Sequence, residues 1–254
     1  MSRIPFIVGN WKMHKTIAET RDFCERLKQE WAAIGKNKAA AAVAPPFTSL
    51  AAAADVLKGS PIGIAAQDVF WETKGAYTGE VSPGMLADAG CRLAIVGHSE
   101  RRQFFYETDE SVNRKVSALK EAGLVPILCI GETLSERQGG RTLAVVERQM
   151  RQGLKGFTVA KTGDLAIAYE PVWAIGTGQT ATPRQAQEIH SFLRGLLQDL
   201  FTPEAADRIP ILYGGSVKAE NIGDLMAEKD VDGALVGGAS LEVQSFLSIL
   251  RGCL

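Results

Sequence analysis

Short apolar segments recur along the whole chain, and segments with helical spacing of apolar residues lie between them. Most of the short segments are continuously apolar rather than alternating, which is typical of parallel strands covered on both faces. The predicted strands are Phe6–Gly9, Ala40–Ala44, Ile62–Ala66, Leu93–Val96, Val125–Ile130, Leu165–Tyr169, Ile209–Tyr213 and Gly233–Val236. The main predicted helices are Ile17–Trp31, Asp109–Ala122, Thr142–Lys155, Pro183–Leu200 and Leu241–Leu250.

Capping residues support two of these helices. Asp109 and Thr182 occupy positions expected for N-caps, and Pro183 follows Thr182 at the first helical position. Eight strand–helix units with short connections predict an α/β protein, a single closed (β/α)₈ barrel of eight parallel strands ringed by helices, in one domain over residues 1–254. A doubly wound open sheet is the alternative, but it typically uses five or six units.

The composition is that of an ordinary globular protein. Of the 254 residues, 46% are hydrophobic and 22% are charged, and the formal net charge is −1. No basic stripe indicates a nucleic-acid partner, and no signal peptide or long apolar segment indicates export or a membrane. The four cysteines are far apart in sequence, which favours reduced thiols in a cytoplasmic protein over a disulfide framework.

Polar or glycine residues stand where most predicted strands end. A barrel brings the carboxyl ends of its strands to one face, so residues far apart in sequence are expected to line one pocket there. These residues are Asn10, Lys12, Gln67, His98, Cys129, Glu132, Glu170, Gly214–Ser216 and Gly237–Gly238.

Glu170 is the strongest candidate for catalysis. It ends a strand, and Pro171 follows it. Next comes a segment with small residues at its ends and Val172, Trp173 and Ile175 in its middle. A carboxylate beneath a loop that can close over it suits a general base. The alternative is a structural role, either as a cap for the next helix or as a partner in an ion pair.

His98 and Lys12 are weaker candidates when each is taken alone. His98 precedes a short helical turn that starts at Ser99, and the helix N-terminus favours a neutral ring that donates a hydrogen bond. A structural histidine is the alternative. Lys12 could offer a charge to an anion, although most lysines are solvated surface residues. No second histidine lies at metal-ligand spacing, so no metal site is expected.

Two glycine clusters, Gly214-Gly215-Ser216 and Gly237-Gly238, follow the seventh and eighth strands. Backbone N–H groups at these two positions form the recurring phosphate site of barrel enzymes. The alternative is that they are ordinary turns whose glycines supply positive φ angles.

Cys129, by contrast, is expected to be a small core residue. The long segment from Gln67 to Glu80 carries Phe70, Trp71 and Tyr77, which suggests either a partner surface or packing on its own barrel.

These motifs together resemble those of the triosephosphate isomerase family along essentially the whole chain. They are Gly9-Asn10-Trp11-Lys12, Ala94 to Arg102, Cys129-Ile130-Gly131-Glu132, Ala168 to Gly178, Tyr213 to Ser216, and Gly237-Gly238. The resemblance implies the TIM barrel and the interconversion of dihydroxyacetone phosphate and D-glyceraldehyde 3-phosphate in glycolysis and gluconeogenesis. It implies a small phosphorylated triose as the substrate and no cofactor.

The resemblance also implies a role for each matching residue. Glu170 would be the base, His98 the electrophile, and Lys12 and Asn10 contacts to the substrate, while phosphate contacts would come from Gly176, Ser216, Gly237 and Gly238. Glu100, Ser99 and Cys129 would support them. The mobile lid would be Pro171, Val172, Trp173, Ala174, Ile175, Gly176, Thr177 and Gly178. The loop from Gln67 to Glu80, with Tyr77 and Thr78 near its tip, would insert into a second subunit of a homodimer, beside residues such as Met13 and Arg101.

The chain departs from the family pattern at two places. Gln179 stands where the family often has lysine at the lid hinge, and Phe105-Tyr106 stands where a pair containing glycine is common. The alternative functions are another phosphosugar barrel enzyme, such as an epimerase or a lyase, and a catalytically silent protein that binds a phosphometabolite.

Overall fold

The computed structural model describes residues 3–31, 39–161, 163–174 and 181–254. Within these ranges eight parallel strands pair in sequential order and close into a barrel, so the predicted (β/α)₈ architecture is confirmed and the open sheet is wrong. The strands are β1 (Phe6–Asn10), β2 (Ala40–Ala44), β3 (Gly63–Ala66), β4 (Leu93–Val96), β5 (Val125–Ile130), β6 (Ala166–Tyr169), β7 (Ile211–Tyr213) and β8 (Gly233–Val236).

The strands are continuously apolar because both of their faces are buried. A smaller cluster of buried side chains consists entirely of strand residues and fills the barrel interior, with alanines making up much of it. A larger cluster joins the outer faces of the strands to the surrounding helices. In β1, Val8 belongs to the interior cluster and its neighbour Ile7 to the outer one, as the alternation of side chains along a strand requires.

The helices in the described part of the chain begin mostly at residues that suit helix starts. Thr182 caps its helix by accepting a hydrogen bond from the Gln185 N–H, as predicted, but Asp109 is not an N-cap. Thr108 caps that helix instead, and Asp109 is its first helical residue. The helices are α1 (Ile17–Trp31), α2 (Leu50–Leu57), α3 (Pro83–Asp88), α4 (Ser99–Phe104), α5 (Asp109–Glu121), α6 (Leu134–Gln138), α7 (Thr142–Gly153), α8 (Pro183–Leu200), α9 (Pro203–Ala206), α10 (Ile222–Met226) and α11 (Val243–Gly252).

Several element boundaries differ from prediction by one or two residues, and two of these differences have a clear local reason. β7 begins at Ile211 rather than Ile209, because Pro210 has no N–H to contribute to the strand ladder. α11 begins at Val243 rather than Leu241, because Gly238–Ser240 first forms a single 3₁₀ turn. Within the described ranges, no helix has the length and apolarity that crossing a bilayer requires.

The barrel closes where the first strand pairs with the last, in a register from Phe6 opposite Gly233 to Gly9 opposite Val236. Gly233 has a φ of +154°, and a Cβ at this position would lie 1.9 Å from the carbonyl oxygen of Phe6. Closure therefore requires a residue without a side chain at position 233.

Candidate active site

The carboxyl ends of the strands surround a cavity of about 480 Å³. Most of the polar residues predicted at strand ends line it, whereas Gln67, Cys129 and Glu132 are not part of its lining. The lining includes Asn10, Lys12, His98, Ser99, Glu100, Glu170, Val172, Gly214, Gly215, Ser216, Gly237 and Gly238. Five strands therefore supply one site.

Glu170 lies at the end of β6 and is only 2% exposed. Its Oε2 accepts a hydrogen bond from the Ser99 N–H at 2.9 Å, and its Oε1 lies 3.0 Å from Nε2 of His98. Burial alone raises the pKa of the Glu170 carboxyl, but His98 and the Ser99 N–H lower it more, so its pKa falls below the ordinary value. Glu170 is therefore a carboxylate at neutral pH.

Two glycines leave the space that Glu170 occupies. A Cβ on Gly214 would lie 2.8 Å from Cγ of Glu170, and a Cβ on Gly131 would lie 1.7 Å from its carbonyl oxygen. Neither distance is compatible with a side chain in the present backbone. These contacts join residues that follow β5, β6 and β7. The sequence alone did not predict that Gly131 and Gly214 would lie against Glu170.

His98 is the N-cap of α4, and the residue is buried, with 6% of its surface exposed. Its Nδ1 accepts a hydrogen bond from the Glu100 N–H at 3.2 Å, so the proton shared with Glu170 belongs to Nε2 and the ring is neutral in this arrangement. Burial lowers the pKa of His98, but the carboxylate of Glu170 outweighs it and raises the pKa above the ordinary value. The sequence argument considered only the helix N-terminus and missed this opposing charge.

The backbone of Lys12 has a φ of +51°, which is uncommon for a residue with a side chain. Two side chains hold it there: Asn10 Oδ1 accepts from the Lys12 N–H at 3.1 Å, and Gln67 Nε2 donates to the Lys12 carbonyl oxygen at 2.8 Å. The ammonium of Lys12 contacts Glu100 Oε1 at 2.6 Å. Gln67, predicted as part of a dimer loop, thus also fixes a residue of the cavity.

The glycine clusters do not supply positive φ angles, so that alternative is wrong. All four glycines lie outside the positive-φ region. At Gly214 and Gly215, other residues occupy the space that a side chain would need. A Cβ on Gly215 would lie 2.2 Å from the Tyr213 hydroxyl oxygen, and a Cβ on Gly237 would lie 3.5 Å from Cε of Lys12. Ser216 follows in the same lining. Gly176, the remaining predicted phosphate contact, lies outside the described residues.

The first part of the predicted lid is attached to Glu132. Val172–Ala174 forms a 3₁₀ turn after Pro171, and the Val172 N–H donates to the Glu132 carbonyl oxygen at 3.1 Å. The indole N–H of Trp173 donates to Glu132 Oε1 at 2.9 Å, and the Arg137 guanidinium stacks 4.4 Å from the indole ring centre. The rest of the predicted lid (Ile175, Gly176, Thr177 and Gly178) and Gln179 lie outside the described residues.

Cys129 is fully buried inside β5 and belongs to the interior cluster. Burial, followed by the charge of Glu170, raises the pKa of its thiol well above the ordinary value, so it is a neutral packing group. In the described part of the chain no cluster of three or more histidines, cysteines, aspartates or glutamates could hold a metal ion.

The segment from Gln67 to Glu80 is exposed from Glu72 onward. Its aromatic residues contact one another: the ring centre of Phe70 lies 4.2 Å from that of Trp71 and 4.6 Å from that of Tyr77. Tyr77 and Thr78 at the tip are exposed. The loop thus has an internal aromatic cluster and presents its tip outward.

Comparisons with known proteins agree along nearly the whole chain. A family model described as triosephosphate isomerase matches residues 5–253. Curated proteins named triosephosphate isomerase from Moorella thermoacetica and Geotalea uraniireducens are each 55% identical to the chain, over 249 and 251 residues, and the alignment covers 98% of both proteins in each pair. One from Carboxydothermus hydrogenoformans is 53% identical over 250 residues, which are 98% of this chain and 99% of that protein.

Proposed function

Because this chain belongs to the triosephosphate isomerase family, we propose that it interconverts dihydroxyacetone phosphate and D-glyceraldehyde 3-phosphate. The observation that carries the proposal is the shared cavity, in which Glu170 and His98 face each other between Lys12 and the glycine clusters. A base, a hydrogen-bond donor, a cation and an anion site are the groups that proton transfer next to a carbonyl requires.

The proposed base is Glu170. It removes a proton from C1 of dihydroxyacetone phosphate, which leaves an enediolate with its negative charge on the oxygen of C2. The proton then returns to C2, and a proton passes from the oxygen of C1 to that of C2, which yields the aldehyde. A positioned base of this kind contributes about 10²- to 10⁴-fold to the rate.

The proposed electrophiles are His98 and Lys12. The Nε2–H of His98 and the ammonium of Lys12 donate to the oxygen on which charge develops, each worth roughly 3–4 kcal/mol in comparable sites. His98 now donates to Glu170, so substrate binding has to separate these two side chains. Asn10 contributes by holding the backbone of Lys12, and Glu100 by pairing with its ammonium.

The proposed phosphate contacts are Ser216, Gly237, Gly238 and, outside the described residues, Gly176. Binding energy from the phosphate is remote from the reacting carbons and can favour closure of the lid, Pro171 to Gly178. Closure excludes water, which otherwise allows the enediolate to eliminate phosphate. Glu132 holds the described part of the lid through Trp173.

We further propose that the protein is a cytoplasmic homodimer that participates in glycolysis and gluconeogenesis. Exposed apolar side chains support the dimer: Met13 is 93% exposed and Phe105 61%, and the tip of the 67–80 loop carries Tyr77 and Thr78. The four free cysteines support a reducing compartment.

A Thr78→Arg variant, which places a charge in the proposed interface, should elute as a monomer in light-scattering chromatography.

An assay with glyceraldehyde 3-phosphate and a dehydrogenase that consumes dihydroxyacetone phosphate tests the activity directly. We expect turnover with no cofactor other than the NADH that the coupling dehydrogenase oxidises, and we expect it to persist after exhaustive dialysis of the protein against EDTA. Binding of the substrate without turnover would indicate a silent binding protein, and formation of an epimer or of cleavage products would indicate another phosphosugar enzyme. Each of these two results would contradict the proposal.

A further inference from the structure

Lys218 lies on the rim of the same cavity, two residues beyond Ser216, and no sequence argument pointed to it. One side chain fixes the turn between them. Asn221 Nδ2 donates to the Ser216 carbonyl oxygen at 3.0 Å, and Asn221 Oδ1 accepts from the Lys218 N–H at 2.8 Å. The backbone from which the Lys218 side chain extends is therefore held beside the proposed phosphate contacts.

The charges around the cavity single out this lysine. The charged side chains of its described lining are Lys12, Lys218, Glu100 and Glu170. Lys12 is paired with Glu100, whereas Lys218 has no ion-pair partner within the ranges that the structure describes. Residues 175–180 contain no ionisable side chain in the sequence. Lys218 thus makes the formal charge of this lining zero rather than −1.

We propose that Lys218 is a second cation for the phosphate group of the substrate, acting on binding and not on proton transfer. Without it, a phosphate dianion would approach a described lining with a net negative charge, which disfavours entry. A flexible side chain with a compact ammonium can follow the phosphate as a point charge. This proposal rests on the proposed function, because it assumes that the ligand of this cavity carries a phosphate.

The test compares Lys218→Gln with Lys155→Gln, which removes the same charge from an exposed turn after α7. At low ionic strength, we expect Lys218→Gln to weaken competitive inhibition by inorganic phosphate and to raise KM, each roughly 3- to 10-fold, with a smaller change in kcat. Lys218→Arg should retain most of the affinity. The effect should shrink toward physiological ionic strength, where the Debye length falls to about 8 Å.

Calorimetric binding of inorganic phosphate separates this proposal from the proposed function, because it does not depend on turnover. If the unmodified protein lacks isomerase activity but Lys218→Gln still weakens phosphate binding, the proposed function fails and the anion role of Lys218 stands. If the unmodified protein is active but Lys218→Gln leaves phosphate binding and KM unchanged, the role of Lys218 is wrong. Equal losses in Lys155→Gln and Lys218→Gln would also overturn it, because they would indicate only a net-charge effect.

Discussion

At the scale of single residues, Glu170 depends on its neighbours for both its charge and its position. The Ser99 N–H and the His98 ring keep it ionised although it is buried, and two glycines leave it room. A carboxylate held in this way is sensitive to displacement, since effective proton transfer requires that the reacting atoms lie close together and aligned.

Glu170→Asp should lower kcat on the order of 10²-fold, because the shorter side chain withdraws the carboxylate by about 1 Å. Steady-state kinetics in both directions measure the effect. Glu188→Asp makes the same chemical change on an exposed part of α8 and should retain full activity. A kcat for Glu170→Asp near that of the unmodified protein would remove Glu170 from the mechanism.

Gly214→Ala should impair catalysis although glycine 214 has no chemistry of its own. The new Cβ would lie 2.8 Å from Cγ of Glu170, so the base has to shift, and kcat should fall by about 10-fold or more. Gly84→Ala is the matched control, since the nearest atom to its Cβ would be Ser82 Oγ at 3.9 Å. Normal turnover in a folded Gly214→Ala protein would contradict this account of the contact.

The sequence predicted which residues form the site, because they stand just after strand ends. It did not predict which of them contact one another. Glu170, His98 and Lys12 each stand just beyond an apolar segment, and the barrel brings such positions together. That Gln67 binds the Lys12 carbonyl oxygen depends on three-dimensional distances between separate loops. The same holds for the influence of Glu170 on the pKa of His98.

At the scale of elements, the predicted bounds match the observed ones best where the local sequence pattern is strong. α1 and α8 have the predicted bounds, since each has a long amphipathic pattern, and α8 also has a threonine cap and a proline at its start. Short helices such as α9 and α10 were not predicted, because four or five residues do not establish a helical period. In the structure both helices pack against α8, and α10 also packs against α11.

Gly195→Ala should stabilise α8. Gly195 is exposed in the helix interior, and no atom lies within 4 Å of the position that its Cβ would take. Alanine reduces the conformational entropy of the unfolded chain and should add about 0.5–1 kcal/mol to the free energy of unfolding. Thermal unfolding should show a Tm higher by about 1–4 °C. An unchanged or lower Tm would indicate a steric conflict that the present structure does not contain.

At the scale of the whole molecule, His190 makes stability depend on pH. It is fully buried beside Tyr169, its Nδ1 lies 3.0 Å from the Asp230 carbonyl oxygen, and burial lowers its pKa to about 4. A histidine whose pKa is lower in the folded state stabilises the protein above its unfolded pKa of about 6.5 and loses this contribution as the pH falls toward 4. His98 has a raised pKa and the opposite dependence: its contribution is fully present below its unfolded pKa and is lost as the pH rises through its folded pKa.

The free energy of unfolding should therefore fall by about 2 kcal/mol between pH 7 and pH 5 through His190 alone. Urea unfolding at the two pH values measures the change, and a folded His190→Gln variant should show a smaller change. NMR titration of the His190 ring provides an independent readout. A ring that titrates near pH 6.5 in the folded protein would contradict the prediction.

The pairing of β1 with β8 has a consequence for how the protein is made. Lys12 comes from the amino-terminal end of the chain, and Gly237 and Gly238 come from near its carboxyl terminus. A growing polypeptide cannot assemble this pocket until Gly238 has emerged from the ribosome, more than 200 residues after Lys12. Turnover regained after dilution from denaturant should therefore appear only in molecules in which β1 and β8 have paired.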